Sequence, residues 1–302
     1  MQKNNSVAVL MAAKNGEKWI EEQINTILTQ KNVSIKLFIS LDESTDNTEK
    51  IINNFIQYYK NIYLFKNNSS SSAKNFFSLI NKIKPTEFDY FSLSDQDDIW
   101  FENKIASGIN SLAYNKCDIY SSNVMAFDHK NRKTLIKKSQ SQRKYDYLFE
   151  GGGPGNTFIM TLFFFKSLQK NLILNKSLIN SIWSHDWYIY AYARSKNFQF
   201  FIDSNYYIFY RQHKENVIGG NIGINKFFKR AFFVLSGEAL YQSKLISIGC
   251  NINKRKDIIK ILHKGKLSLY YIILNIGQCR RRLVDRIIMF FSILLLLFTK
   301  LK

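Results

Sequence analysis

The stretch FDYFSLSDQDDIW, residues 88–100, decides how the rest of the chain is read. Phe88 to Leu93 is a short apolar run of the kind that forms a buried strand, and Asp95, Gln96, Asp97 and Asp98 follow almost at once. Three carboxylates within four residues repel one another at the end of a strand unless a cation compensates them. A divalent ion carrying a phosphate is the natural candidate. Mg2+ and Mn2+ take hard oxygen ligands, keep several waters and bridge to substrate phosphates. The same residues also suit a solvated acidic turn or a helix N-cap. On this stretch alone both readings stand.

Upstream, the pattern of strand, polar turn and helix repeats. Val7 to Ala12 is a continuous apolar run closed by Lys14, Asn15 and Gly16, and Glu17 to Gln30 carries Trp19, Ile20, Ile24, Ile27 and Leu28 near helical spacing. A second run, Ile35 to Leu41, meets the polar stretch Asp42 to Thr48 before a helix carrying Ile51, Ile52 and Phe55. Ile62 to Phe65 predicts a third strand, with Ser69 to Ser72 leading into a helix from Lys74 to Ile83. Strands alternating with helices imply a parallel sheet, on which ligands bind outside the carboxyl ends of the strands. The polar clusters after the first, second and fourth strands would then gather at one edge, which favours the cation reading of Asp95, Asp97 and Asp98.

Downstream the pattern loosens. Asp118 to Phe127 reads as a strand, Gly151 to Gly155 as a glycine-rich loop, and Thr157 to Phe165 is apolar throughout. Ser184 to Ala193 predicts a helix opening with His185, Asp186 and Trp187, and Phe200 to Tyr210 returns to strand character. From Lys226 onward the chain reads as helical, with basic clusters at Lys254 to Lys256 and Arg280 to Arg282. The final apolar run, Ile287 to Thr299, is 13 residues long, whereas a spanning helix needs about 20. Flanked by Arg280, Arg281, Arg282 and Arg286 on one side and Lys300 and Lys302 on the other, it fits a segment lying in the interface of an anionic leaflet. The competing reading is a terminal helix docked on the domain or on a second subunit, as a homodimer.

Composition bounds the function. With 46% hydrophobic and 15% aromatic residues the chain is globular rather than disordered. The net charge is +20, and residues 251–302 hold twelve Lys/Arg against two Asp/Glu. Charge concentrated beside an apolar tail, without Lys/Arg and aromatics interleaved along one surface, argues against a nucleic-acid partner. Three widely spaced cysteines without a CxxC pair fit a reducing cytoplasm, and the short polar start leading into a strand carries no secretory signal.

Five segments together carry a resemblance: VAVLMAAKNGEKW at 7–19, SLDESTDNT at 40–48, SLSDQDDIW at 92–100, SHDWY at 184–188 and YRQHKENVIGG at 210–220. In this order they resemble the family 2 nucleotide-sugar glycosyltransferases, and within them the bacterial rhamnosyltransferase-like members that build surface polysaccharides. The resemblance implies an α/β architecture of the GT-A type, a Rossmann-like, mostly parallel sheet flanked by helices. Residues 1–225 would form that domain, and 226–302 a helical, basic C-terminal appendage. It implies an inverting transfer from a nucleoside-diphosphate sugar, a dTDP- or UDP-sugar, to a glycan, assisted by Mg2+ or Mn2+; a lipid-linked oligosaccharide acceptor at the inner face of the cell membrane would explain the cationic tail.

The resemblance also assigns roles. Asp97 and Asp98 occupy the metal-and-phosphate positions with Asp95 nearby, Asp97 reaching the ribose or the metal and Asp98 the metal. Asp186 matches the catalytic base; an N-cap following Ser184 is the alternative for it. His185 and Trp187 flank it on the acceptor side, and Gly155, Asn156 and Thr157 match an acceptor loop in which a small residue is commoner at 156. Asp42 matches the aspartate that bonds the pyrimidine ring, although Leu41 and Glu43 depart from the usual turn. Ala12 lines the nucleotide side. Ala13 and Lys14 stand where Thr-Tyr is common, so Lys14 contacts a phosphate or solvent. Lys74 and Asn75 match a site near the nucleotide, or an exposed cap. Arg211 and His213 match a late motif that closes over diphosphate and metal, followed by a lid-like loop at Asn216 to Gly220. A degenerate fold that only binds a glycan or nucleotide sugar is the rival; retention of Asp98 and Asp186 speaks against it.

Overall fold

Strand β1 (Asn5–Ala13) is buried on both faces, with Val7, Val9 and Met11 in one apolar cluster and Ala8 and Leu10 in another. A strand lacking polar alternation belongs at the centre of a parallel sheet covered on both sides. The computed structural model describes residues 4–213 and 236–298, so the loop at Asn216 to Gly220, the boundary at 225, Lys226, Lys300 and Lys302 lie outside the described residues.

After β1 come α1 (Ile20–Leu28), β2 (Val33–Asp42), α2 (Thr48–Tyr58), β3 (Ile62–Asn67), α3 (Ser72–Lys82), β4 (Tyr90–Ser94) and the short β5 (Ile99–Trp100). Next are α4 (Lys104–Asn115), β6 (Ile119–Phe127), β7 (Lys133–Ile136), β8 (Ile159–Thr161), α5 (Leu162–Leu174), α6 (Lys176–Ile179), α7 (His185–Ser195) and β9 (Phe200–Arg211). The C-terminal helices are α8 (Glu238–Gly249), α9 (Lys256–Leu262), α10 (Lys266–Leu274), α11 (Ile276–Cys279) and α12 (Leu283–Phe298).

The nine strands form one sheet in the order β3-β2-β1-β4-β8-β6-β9-β5, with β7 on β6. The long ladders, β1 with β2, β1 with β4, β2 with β3 and β6 with β9, are parallel, and the antiparallel joins made by β8, β5 and β7 are short. In the parallel part β2 lies on one side of β1 and β4 on the other. The winding therefore reverses at β1, which opens a crevice between the loops that follow β1 and β4. The apolar stretch from Thr157 to Phe165 divides into a brief strand and the start of α5, because the Thr161 hydroxyl accepts from the Phe164 N–H and caps the helix.

Helices α1, α2 and α4 cover one face of the sheet. The other face is covered by α3, α5 and α7, where the Phe91 and Phe165 rings stack 3.7 Å apart. Ile246, Ile258, Ile261, Leu269, Ile272 and Ile293 belong to this same buried cluster, so the C-terminal helices share the core of the sheet domain.

Ending the chain at Lys254 would remove five of those six residues. Burying one such side chain contributes about 1.5–3 kcal/mol, against a typical net stability of about 5–15 kcal/mol. The shortened chain is expected to lose its cooperative melting transition in calorimetry. A transition at the full-length temperature would show that α9 to α12 contribute nothing to the fold.

Candidate active site

The loops after β1 and β4 are latched together by one side chain. Gln96 Oε1 accepts from the Lys14 N–H at 2.9 Å while its Nε2 donates to the Lys14 carbonyl at 2.8 Å. A side chain at 16 would meet Gln96, since a Cβ there would lie 2.4 Å from Oε1, so glycine is needed for the approach. The Lys14 residue is exposed, and its fixed contacts are those of its backbone. Ala12, in register with Ser40 of β2, is partly buried at the end of β1. Beyond the latch, the Trp19 ring stacks on His213 at 3.9 Å.

The acidic turn is gathered by the end of β9. Asp97 Oδ2 lies 2.7 Å from His213 Nε2, and the Asp97 carbonyl accepts from Arg211 Nε at 2.9 Å. Arg211 also pairs with Glu22 at 2.5 Å, so its guanidinium is tied to α1. Asp98 is fully buried: Oδ1 accepts from the Arg211 backbone N–H at 3.2 Å and Oδ2 from Asn156 Nδ2. The sequence reading put Asp98 on the metal, but both of its oxygens are engaged inside the protein. Behind it lies Lys104, 1% exposed, whose Nζ donates to Ser92 Oγ at 3.1 Å and sits 3.4 Å from the Trp100 ring centroid. Burial pushes the Lys104 ammonium well below its ordinary range, opposed by the charge of Asp98. Burial and the charges of Asp97 and Asp95 push Asp98 well above its own.

Asp186 enters from α7. Ser184 is the N-cap, its hydroxyl accepting from the Trp187 N–H at 3.3 Å, and Asp186 shares that donor. Asp186 Oδ1 accepts from Ser184 Oγ and, at 2.7 Å, from the Trp187 N–H, while Oδ2 makes no hydrogen bond among the described residues. The site is electrostatically joined. Asp95 is pushed up to about 8, first by burial and then by the charges of Asp97 and Asp186. Tyr210 is likewise raised, by burial and then by Asp95, Asp98, Asp97 and Asp186. The turn after β4 and the start of α7 are thus within electrostatic reach of one another and of Tyr210.

On the acceptor side, Gly155 to Thr157 form a single 3-10 turn. Thr157 Oγ1 is 2.9 Å from Ser121 Oγ and donates to the Pro154 carbonyl at 2.7 Å. His185 lies across Phe76 with ring centroids 4.0 Å apart, and its buried Nε2 has no hydrogen-bond partner. A Cβ at Gly155 would come within 2.4 Å of that nitrogen. Trp187 turns inward: it is buried and its Nε1 donates to the Tyr147 carbonyl at 2.9 Å, so it forms the wall of the site and not its opening.

On the nucleotide side, Asp42 is buried and accepts from the Ser69 N–H at 2.9 Å and the Ser69 hydroxyl at 2.6 Å. Asn75 is also spent on structure, donating to the Ser40 carbonyl and accepting from Asn67 Nδ2, each at 3.0 Å, which joins α3 to β2 and β3. Lys74 donates its backbone N–H to the capping Ser71 hydroxyl.

Among the described residues no three His, Cys, Asp or Glu side chains cluster as a complete metal cage. Asp97 and His213 nevertheless fit a divalent ion. Their facing oxygen and nitrogen are suitable donors, and Mg2+ or Mn2+ at phosphate sites takes few protein ligands, the rest coming from substrate and water. Four contributors were not singled out from sequence: Gln96, Lys104, Tyr210 and Trp19. Gln96 and Tyr210 lie inside the DQDD and YRQH segments and Trp19 closes the first motif, so position was the available signal. Nothing in the sequence marks Lys104 as buried.

Comparison with known proteins gives a consistent answer. Residues 8–172 match the family model described as Glycosyl transferase family 2. The chain is 37% identical to dTDP-rhamnosyl transferase RfbG of Shigella flexneri, over 95% of this chain and 100% of that one. It is 23% identical to the UDP-Glc:alpha-D-GlcNAc-diphosphoundecaprenol beta-1,3-glucosyltransferase WfgD of Escherichia coli, over 89% and 91% of the two chains. Among solved structures, the mannosyltransferase PcManGT of Pyrobaculum calidifontis, in complex with GDP-Man and Mn2+, superimposes with a TM-score of 0.53 at 10% identity, covering 99% of this chain and 82% of that one.

Gly155→Ala should push the His185 ring from its seat on Phe76, costing about 1–3 kcal/mol of stability in denaturant titrations and lowering the rate of sugar transfer. His185 itself is held below the ordinary histidine range by burial, against the opposing charge of Asp186. As the pH falls through about 6.5, the unfolded chain takes up a proton that the folded site refuses, so this residue's contribution makes stability decline. In His185→Gln that part of the decline is expected to disappear; identical pH–stability curves for the two proteins would refute it.

Proposed function

The chain belongs to glycosyl transferase family 2, and from that premise we propose that it transfers rhamnose, with inversion, from a dTDP- or UDP-linked donor to a glycan acceptor in bacterial surface polysaccharide synthesis. The GT-A sheet domain of such an enzyme must hold a diphosphate leaving group and a proton acceptor on opposite sides of one sugar. The observation that carries the reading is the joining of the acidic turn to the end of β9 and to the acceptor turn, Asp97 on His213 and Asp98 on Arg211 and Asn156, with Asp186 within electrostatic reach of Asp95. Like charges within reach of one another raise each other's proton affinity, and a cation beside them relieves that repulsion.

Each residue's part follows from its surroundings. The Asp186 carboxylate, oriented by Ser184 through Oδ1, accepts the proton of the acceptor hydroxyl through Oδ2. The acceptor oxygen forms a bond to the anomeric carbon as the bond from that carbon to the diphosphate oxygen breaks, and the electron pair leaves with the diphosphate. Asp97 and His213 would hold a divalent ion, which supplies Lewis-acid neutralisation of that leaving group. Asp98 binds Asn156 and the Arg211 backbone, and so keeps the acceptor turn in register with the metal side. Asp42 and Asn75 shape the nucleotide end by fixing Ser69 and Asn67. Asn156 is buried in the acceptor turn and shapes it through its bond to Asp98.

The likeness to RfbG supports dTDP-rhamnose as donor, and the likeness to WfgD supports an acceptor linked to a polyprenyl diphosphate. Such an acceptor is presented at the cytoplasmic leaflet, so the enzyme would work peripherally at the inner face of the membrane. Residues 1–225 carry the chemistry in this scheme and 226–302 the attachment.

Asp186→Asn tests the base. Transfer from dTDP-rhamnose should fall about 10^2–10^4-fold while calorimetric binding of the donor is unchanged; near-normal turnover would reject the role. Chelation with EDTA should abolish transfer and Mn2+ restore it, and His213→Ala should raise the Mn2+ concentration needed for half-maximal rate. Full activity in EDTA would dismiss the metal.

A further inference from the structure

Helix α12 is apolar on both sides. Met289, Ile293 and Leu296 face the core, while Val284, Ile287, Phe291, Leu295 and Phe298 are exposed on the opposite side at helical spacing. A row of large apolar side chains left in water over four turns marks an interaction surface. Helix α10 packs against α12 and widens the surface with exposed Leu267, Tyr270 and Leu274. The Lys266 ammonium donates to the Leu297 carbonyl at 3.4 Å, which brings the start of α10 beside the end of α12.

Charge decides what covers this surface. Exposed Arg282 stands at one end of α12, and exposed Lys264 and Lys266 stand at the other. A second copy would bring an equally basic segment against this one, with twelve Lys/Arg and two Asp/Glu in residues 251–302 of each chain. An anionic lipid surface complements it instead. At 16 residues α12 is about 24 Å long, shorter than the hydrocarbon core of about 30 Å, and no helix among the described residues is long and apolar enough to cross a membrane.

We infer that the outward faces of α10 and α12 lie in the plane of an anionic phospholipid surface, with Arg282, Lys264 and Lys266 on the headgroups. This deepens the reading above by naming the surface that meets the leaflet carrying the acceptor. The surface is joined to the site. Arg286 donates to the carbonyls of Arg280 and Arg281 at 2.8 and 2.9 Å, Arg280 donates to the Phe149 carbonyl, and buried Arg281 donates to the Gly151 carbonyl at 2.5 Å. A Cβ at Gly151 would lie 3.8 Å from the Asp186 carboxyl carbon, so the segment that starts α12 is fixed to the wall behind Asp186. A docked α12 would therefore set the height and tilt at which Asp186 meets a membrane-held acceptor.

The test is flotation of the full-length chain with phosphatidylcholine vesicles, with and without phosphatidylglycerol. Binding should require phosphatidylglycerol and weaken with salt. Ile287→Glu/Phe291→Glu, at two exposed positions, should keep the melting temperature and the rate on a water-soluble acceptor but bind the anionic vesicles more than about 10-fold more weakly. Arg282→Glu should weaken binding to the same vesicles. Equal flotation of wild type and double variant, or none by either, would overturn the inference, as would a concentration-dependent dimer that the double variant abolishes. Flotation needs neither donor nor base: an Asp186→Asn protein that still floats but fails to transfer separates this surface from the catalytic assignment.

Discussion

The site depends on a buried carboxylate with no access to water. Asp98 comes from the turn after β4, yet its two oxygens are bonded to Asn156 in the acceptor turn and to the backbone of Arg211 at the end of β9. Three segments far apart in sequence are thereby held at one point. A buried polar group left without its hydrogen bond costs about 1–3 kcal/mol, so none of these segments moves independently without penalty. Lys104 lies behind the same carboxylate with its ammonium enclosed by Ser92 and Trp100. The carboxyl of Asp98 and the amine of Lys104 share a region from which solvent is excluded, and burial pushes each towards its neutral form. The acidic turn is thus built in two layers, an inner carboxylate that supports the walls and an outer one, Asp97, that meets His213.

The fold was largely legible because its signals are local. The apolar run of β1 and the polar turns after β1, β2 and β4 need no knowledge of distant contacts, and alternation of strand with helix leaves few topologies. The site was legible by position but less so by orientation. Asp186 opens α7 as the pattern predicted, with Ser184 as the N-cap and Asp186 Oδ1 on the same Trp187 N–H. Asp98, expected on the metal, and Trp187, expected on the acceptor side, are both buried, since a motif fixes the order of side chains and not the direction in which each points. Gln96 was passed over between three aspartates although it makes the two-way latch to Lys14. Its partner is a backbone 82 residues away, and no periodicity records such a contact.

The tail shows the opposite limit. Its apolar character was plain, but whether those side chains served the core or the surface was not. In α12 they do both, because an apolar helix can bury one face against a domain and present the other. Six residues of the C-terminal helices named above lie in the cluster that supports α3, α5 and α7. The C-terminal helices and the sheet that carries the candidate site consequently share one scaffold.

Arg281 carries a last consequence. It donates to the Gly151 carbonyl, receives Glu150 on its own backbone N–H at 2.6 Å, and lies 3.8 Å from the buried Asp146, which also pairs with Arg194 at 3.1 Å. This network ties the tail to the stretch from 146 to 151. Exchange of C-terminal segments between related transferases, in nature or by design, would succeed only where the donor sequence brings its own counterpart to that stretch.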